Sequence, residues 1–118
     1  MTEIRLPFPP SVNQMYGAKR GRGRGRYILP DYANWRTEVY DALSKQKPRP
    51  VLGPCQIWID LDDRRQGDAD NRTKGILDAL VEYGTIGGDS KKHVRRVSIG
   101  WAKCDGCRVA IEELNEPR

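Results

Sequence analysis

Hydrophobic and polar residues alternate along four stretches of the chain, which is the pattern of strands with one buried face. In the first stretch, Ile4, Leu6 and Phe8 share one side, and the neighbouring prolines end the strand. Asp105 and Gly106 fit a two-residue hairpin turn between the last two strands, because glycine tolerates the positive φ needed there. The predicted strands are residues 3–8, 55–61, 93–101 and 108–114.

Two other stretches repeat hydrophobic residues at spacings of three and four, which predicts amphipathic helices. The first helix begins at Pro30 and ends in the sequence KQKPRP at residues 45–50. The second covers residues 71–82, and Gly84 is placed to end it. The order β-α-β-α-β-β predicts an α+β fold with a mixed sheet and two helices packed on one face. The hydrophobic stripes are Tyr32, Trp35, Val39, Ala42 and Leu43, then Ile76, Leu77, Leu80 and Val81.

Length and composition narrow the class of protein. The 118 residues suffice for one domain, which we expect to span residues 1–118. No apolar run approaches the roughly 20 residues of a membrane span, and the N-terminus lacks the pattern of a secretory signal. Three cysteines are an odd count, which favours reduced thiols and a cytoplasmic location. No glycine-rich loop precedes Lys-Ser or Lys-Thr, so no nucleotide cofactor is expected.

The positive charge of the chain is concentrated in one segment. The net charge is +5, and the sequence KRGRGRGR at residues 19–26 contains five positive residues. Alternating arginine and glycine predicts a flexible basic loop that contacts a polyanion such as nucleic acid, although a solvated loop tip has the same composition. A second group of cations lies near Asp89 and is either a further basic patch or an ordinary charged strand face. Its members are Lys91, Lys92, Arg95 and Arg96.

The sequence GDADNRTK at residues 67–74 carries the clearest catalytic chemistry. Asp68 and Asp70 are two residues apart where a strand gives way to a helix, and in extended geometry they project from the same face. Asp89 follows the helix, and Lys74 lies one helical turn beyond Asp70. Carboxylate oxygens suit Mg²⁺ or Mn²⁺, which lowers the pKa of a bound water, while a lysine stabilises charge on a phosphate. This motif therefore predicts a phosphate-handling metal site.

Each of these carboxylates also has a simpler interpretation. Asp70 or Asn71 would cap the helix that follows, since both residue types are favoured at that position. Asp89, in the sequence GGDS, is also an ordinary turn residue. Three further acids either add a metal ligand or form a solvated strand end, and they are Asp60, Asp62 and Asp63.

The cysteines and tryptophans have structural interpretations as well as functional ones. Cys104 and Cys107 have the spacing of half a zinc site, which Cys55 and His93 would complete only if the fold brought them together. Otherwise the two cysteines simply flank the Asp-Gly turn. The tryptophans are expected in the core or the sheet rather than as platforms for stacked bases, and they are Trp35, Trp58 and Trp101.

Taken together, these motifs resemble the RusA family of crossover junction endodeoxyribonucleases, the Holliday junction resolvases of bacteria and their phages. The resemblance covers most of the chain, and it is specific because the motifs occur jointly. They are LPFPPSVN at residues 6–13 with Tyr16, Asp63-Arg64-Arg65, DADN at residues 68–71 with Lys74, LDAL at residues 77–80, Gly84 and Asp89.

The resemblance implies a homodimeric, Mg²⁺-dependent enzyme, with Mn²⁺ as a substitute, that nicks opposed strands of a four-way DNA junction in recombination and repair. It implies that Asp68, Asp70 and Asp89 bind the metal and that Lys74 is catalytic. A dimer also matches the two-fold symmetry of the junction. Gly88 departs from the family pattern, which often has an acid there. The alternative is a non-catalytic nucleic-acid-binding protein. The candidate DNA contacts are Asn13, Tyr16, Lys19, Arg20, Arg22, Arg24 and Arg26.

Overall fold

The four predicted strands and two predicted helices are all present in a computed structural model, which describes residues 1–18 and 25–115. Two short 3₁₀ helices, Val12–Gln14 and Asp70–Arg72, and a small hairpin accompany them. The strands and α-helices are β1 (Thr2–Leu6), β2 (Tyr16–Ala18), β3 (Arg26–Ile28), α1 (Pro30–Gln46), β4 (Cys55–Asp62), α2 (Thr73–Tyr83), β5 (Val94–Ala102) and β6 (Cys107–Glu113).

The main sheet has the strand order β1-β6-β4-β5 and is mixed. β4 and β5 are parallel, whereas β6 is antiparallel to both β1 and β4. The register aligns Ile4, Val109, Ile59 and Ile99 in one row across the sheet, and the first three are buried. Their face packs into one hydrophobic core with the buried residues of α1 and α2, while the other face is more exposed. The predicted α+β fold is confirmed.

Both helices begin and end near the predicted residues. Pro30 occupies the start of α1, and Lys47 ends it in a left-handed conformation. Gly84 ends α2 with φ of +87°, as predicted, and its N–H donates to the carbonyls of Leu80 and Val81. Most of the predicted stripes are buried, but Ala42, Leu77 and Val81 are only partly so. Neither described helix is long and apolar enough to cross a membrane.

The predicted hairpin between the last two strands is wrong, because β4 lies between β5 and β6. Residues 103–106 instead pass over the end of β4. The N–H of Asp63 donates to the carbonyl of Ala102, and the N–H of Asp62 donates to that of Gly106, both at 3.0 Å. Gly106 has φ of +63°, and a Cβ there would lie 2.5 Å from the carbonyl oxygen of Leu6. The Asp-Gly pair signals the turn but not the strand inserted beside it.

The long connection between β1 and α1 contains the small hairpin of β2 and β3. Arg26, which the sequence placed in the basic loop, pairs with Ala18 in this hairpin. The other charged residues of the predicted loop, at positions 19, 20, 22 and 24, lie outside the described residues. β2 and β3 therefore flank the rest of that basic segment in the sequence.

The direction of β4 and α2 determines where the candidate site residues lie. β4 has a carboxyl end at Asp62, near Leu6 and Cys107, and an amino end at Cys55, near Val94. α2 starts near the carboxyl end of β4, where Arg72 before it contacts the carbonyl of Pro9. The helix then runs back to the amino end of β4, where the N–H of Val51 donates to the carbonyl of Thr85. Its 11 residues span roughly 16 Å.

Candidate active site

Asp68 and Asp70 stand at the carboxyl end of β4, at the entrance to α2. Both are exposed, and neither side chain makes a hydrogen bond or ion pair with any described residue. Ala69 between them is helical, with φ of −62° and ψ of −41°, so the expected extended geometry is wrong. Their Cα atoms are still at most about 7 Å apart, since only two peptide units separate them.

The capping interpretation of this motif is not supported. The residues at the cap positions of the 3₁₀ helix and of α2 are Ala69 and Arg72, and neither helix has a side-chain cap. Neither Asp70 nor Asn71 therefore accepts a capping hydrogen bond from the N–H groups at a helix N-terminus. The two aspartates are exposed carboxylates without a structural partner among residues 1–18 and 25–115.

Arg72 fixes this acidic segment to the N-terminal loop. Its Nη1 donates to the carbonyl of Pro9 at 2.8 Å, and its Nη2 donates to that of Gln66 at 3.3 Å. Its guanidinium lies 5.0 Å from the ring centre of Phe8, and that of Arg65 lies 4.8 Å from the same ring. Burial lowers the pKa of Arg72, Arg65 lowers it further, and Asp68 opposes both. Arg72 thus links the acidic motif to the LPFPP motif.

Lys74 lies in the first turn of α2, where its Nζ is 3.3 Å from Oδ2 of Asp78. The side chain of Lys74 is about half exposed, so this ion pair leaves it accessible to a phosphate. The sequence motifs alone predict no role for Asp78. The ion pair could have been predicted from the sequence, because Asp78 follows Lys74 by four residues and residues at that spacing are neighbours on a helix.

Asp89 lies at the amino end of β4 and β5, in the turn after α2. The carbonyl of the next residue, Ser90, accepts hydrogen bonds from the N–H groups of His93 and Val94 at 2.9 Å. A Cβ at Gly88 would lie 2.7 Å from Nδ1 of His93. The His93 ring therefore lies where a side chain at position 88 would begin, so any larger residue there would require the ring to move.

The structure does not bring the three predicted metal ligands together within one chain. Asp68 and Asp70 lie at the carboxyl end of β4, and Asp89 lies near its amino end. The first and last Cα atoms of this eight-residue strand are roughly 23 Å apart. Accordingly, the described part of the chain contains no group of three His, Cys, Asp or Glu side chains that could hold a metal ion.

Two of the other three acids at the end of β4, Asp60 and Asp62, form structural ion pairs. Oδ2 of Asp60 accepts from Arg108 at 2.8 Å, and both oxygens of Asp62 accept from Arg64 at 2.9 Å. These hydrogen bonds lower the pKa of Asp62 to about 2. Arg64 also reaches Asp105, which ties the connection after β5 to the turn after β4. Asp60 and Asp62 are therefore engaged in the sheet, whereas Asp63 is exposed.

The structure contradicts the four-residue zinc site. Cys107 is paired with Leu61 at the carboxyl end of β4, with Cys104 beside it, whereas Cys55 and His93 lie at the amino end. Burial raises the pKa of the Cys107 thiol to about 12, and the Cys104 thiol donates to the carbonyl of Asp60 at 3.6 Å. All three cysteines are free.

The candidate DNA contacts differ in accessibility. Asn13 is exposed. Tyr16 is half-buried, because its ring packs edge-on against Tyr32 with centroids 5.5 Å apart and lies beneath the guanidinium of Arg26 at 4.0 Å. Lys19, Arg20, Arg22 and Arg24 lie outside the described residues. The second group of cations is exposed at the same end of the sheet as Asp89, and it consists of Lys91, Lys92, Arg95 and Arg96.

A small basic α+β domain with exposed paired carboxylates and a neighbouring lysine has the features of enzymes that act on nucleic-acid phosphates. Comparison with known proteins identifies the family. The family model described as "Endodeoxyribonuclease RusA" matches residues 7–112. The chain is 32% identical over 111 residues to the crossover junction endodeoxyribonuclease rusA of Enterobacteria phage HK97, covering 91% of this chain and 88% of that protein.

Two further relatives carry the same description. The RusA protein of Escherichia coli K12 is 33% identical over 84 residues, and that of Enterobacteria phage 82 is 34% identical over the same length. Each match covers 69% of this chain and 68% of the relative. The chain belongs to the RusA family of endodeoxyribonucleases, as its motifs predicted.

Proposed function

We propose that this protein is a Holliday junction resolvase that acts as a two-fold dimer, and that each of its two active sites is built from both chains. The proposal rests on the family to which the chain belongs and on one structural observation. This observation is the separation of Asp68 and Asp70 from Asp89 by roughly the length of β4.

A two-fold dimer can bring Asp89 of one chain close to Asp68 and Asp70 of the other. If β5 of the second copy runs antiparallel to β5 of the first, the amino end of one copy meets the carboxyl end of the other. Asp89 of one chain then faces Asp68 and Asp70 of its partner, and symmetry creates the same arrangement twice. Two equivalent sites are what paired nicks across a four-way junction require.

The residues available suit a hard divalent cation. Asp68, Asp70 and Asp89 are exposed carboxylates, and none forms an ion pair with a lysine or arginine among the described residues of its own chain. Such oxygen ligands fit Mg²⁺, with Mn²⁺ as a substitute. When bound, the cation would polarise the scissile phosphodiester and lower the pKa of a water molecule. Lys74, two residues into α2, would approach the phosphate and stabilise the negative charge that develops there.

The cations of the chain would hold the DNA backbone rather than read bases. Arg26 projects from the hairpin that leads into the basic segment, and Asn13 lies exposed in the preceding 3₁₀ helix. Lysine and arginine neutralise phosphates and make binding depend on salt. We include Lys19, Arg20, Arg22 and Arg24 in this role because of their charge and sequence position.

The alternative function is a nucleic-acid-binding protein without catalytic activity. Such a protein would gain affinity by losing exposed carboxylates that repel phosphates. Asp68, Asp70 and Asp89 are instead all present, exposed and without a structural role in the described residues. This observation favours the enzyme.

Cleavage of a synthetic four-way junction tests the function. With Mg²⁺, the wild type should produce symmetric nicks in the junction and leave linear duplex intact. Asp70→Asn should abolish nicking and retain or strengthen binding, because the substitution removes a negative charge near the phosphate. Asp41→Asn is the matched control, since Asp41 is an exposed carboxylate paired with Lys45 on α1. Normal cleavage by Asp70→Asn would refute the catalytic assignment, and degradation of linear duplex by the wild type would indicate a general nuclease.

A further inference from the structure

Trp101 is the one predicted core or sheet tryptophan that the structure leaves substantially exposed. Trp35 is 5% exposed and Trp58 is half-buried, but Trp101 retains 38% of its accessible surface. Trp101 pairs with Leu61 near the carboxyl end of β4, in the last row of the sheet whose side chains reach the core. Val97 and Ile99 on the same side of β5 pack partly against the core, whereas Trp101 extends beyond it.

The surroundings of Trp101 connect it to the acidic motif. Its ring lies 6.2 Å from that of Phe8, at an angle of 34°. Phe8 in turn contacts the guanidinium groups of Arg65 and Arg72. The negative charge of Asp68 acts on Arg72 and raises its pKa, against the larger effect of burial. The exposed indole therefore belongs to an aromatic and cationic cluster on the same end of the sheet as the candidate catalytic carboxylates.

We propose that Trp101 stacks on an unpaired base of branched DNA, next to the strand that is cleaved. This inference rests on the proposed function and adds a residue that positions the substrate. The exposed guanidinium of Arg65 attracts the phosphate backbone to this end of the sheet, and the exposed part of the indole offers a stacking surface that every base can use. Base pairs near a junction centre open at lower cost than those inside a duplex, so the platform favours branched over linear DNA.

Stacking differs from a phosphate contact in its dependence on salt. Trp101 carries no charge, so its removal should lower affinity without changing the slope of log affinity against log salt. A lost phosphate contact instead reduces that slope by about 0.9. The two kinds of contact can therefore be distinguished by titration at several salt concentrations.

The test compares Trp101→Ala and Trp101→Phe with the wild type, in EDTA so that no cleavage occurs. Trp101→Ala should bind a four-way junction roughly 5- to 100-fold more weakly, with an unchanged salt slope and unchanged affinity for linear duplex of the same sequence. Trp101→Phe should retain most of the affinity because a ring is still present. Circular dichroism verifies that each variant is folded.

Tryptophan fluorescence gives a second readout that does not depend on the stability of Trp101→Ala. Stacking on a base quenches indole emission, so the junction should quench the wild type and Trp58→Phe, but quench Trp101→Phe much less.

Equal affinity of Trp101→Ala and wild type, an equal loss on junction and duplex, or equal quenching of Trp101→Phe would overturn the proposal. Dissociation of the Trp101→Ala dimer in sedimentation would also overturn it, by assigning the indole to a protein interface. A wild type that binds and quenches but never nicks would refute the proposed function alone.

Discussion

Replacing Arg72 by methionine should separate the acidic motif from the loop that positions it. The substitution keeps the aliphatic part of the side chain and removes the guanidinium. The hydrogen bond to Pro9 has a charged donor and contributes about 1.5–3 kcal/mol, and the longer bond to Gln66 contributes about 1 kcal/mol. The contact with Phe8 adds about 0.5–1 kcal/mol. The Nε atom is buried without a partner in the described structure, which costs about 1–3 kcal/mol. The net loss of unfolding free energy should be about 2 kcal/mol.

Arg65→Met is the matched control for this prediction. Arg65 contacts the same ring at a similar distance, but it is exposed and its guanidinium makes no hydrogen bond with a described residue. Its replacement should therefore cost only about 0.5–1 kcal/mol, the value of a single exposed contact.

Urea unfolding followed by circular dichroism measures both changes. In thermal unfolding followed by the same signal, Arg72→Met should lower the midpoint by roughly 8 °C, given the size of the domain. The same variant should nick junctions more slowly at a temperature where it remains folded, because Asp68 and Asp70 lose their anchor. Equal destabilisation by the two substitutions would refute the argument, since it would mean that the hydrogen bonds to Pro9 and Gln66 do no more than offset the cost of burying Nε.

Two other predictions concern the turns around β4. Because hydrogen bonds from Arg64 hold the pKa of Asp62 near 2, below its ordinary value of 3.8, its contribution to stability is present above about pH 4 and disappears as the pH falls toward 2. The difference in unfolding free energy between wild type and Asp62→Asn should therefore shrink between pH 5 and pH 2.5, and a constant difference would contradict this. Gly106→Ala should cost at least about 2 kcal/mol, because alanine is strained at positive φ and would meet the Leu6 carbonyl. Gly100→Ala, with no atom within 4 Å of the new Cβ, should stay within about 0.5 kcal/mol of wild type in the same urea titration, and similar losses for both glycines would refute the argument.

Local patterns in the sequence were sufficient to predict the elements of the fold. Alternation located the four strands, and Pro30 and Gly84 located one end of each helix. These signals depend on neighbouring residues and on burial of one face, and both are visible in a single sequence. The pairing of strands is not local, so Asp105 and Gly106 suggested a hairpin that the insertion of β4 prevents.

The candidate site shows the same division between local and non-local information. The types of residue in the acidic motif indicated metal chemistry, and the structure leaves Asp68 and Asp70 exposed as that chemistry requires. Their separation from Asp89 follows from the parallel pairing of β4 with β5, which spacing alone does not disclose. The anchoring role of Arg72 depends on Pro9, 63 residues away in the chain.

The most direct test of the shared active site is complementation between two inactive variants. Asp70→Asn and Asp89→Asn chains carrying different affinity tags are co-expressed, and mixed dimers are purified through both tags. If each site combines two chains, a mixed dimer has one site with both substitutions and one with none, so it should make roughly half as many nicks as wild type, each on one strand only. Each variant alone should be inactive. If both variants alone are inactive and the mixed dimer is no more active than either, the sites do not combine residues of two chains and the account is contradicted.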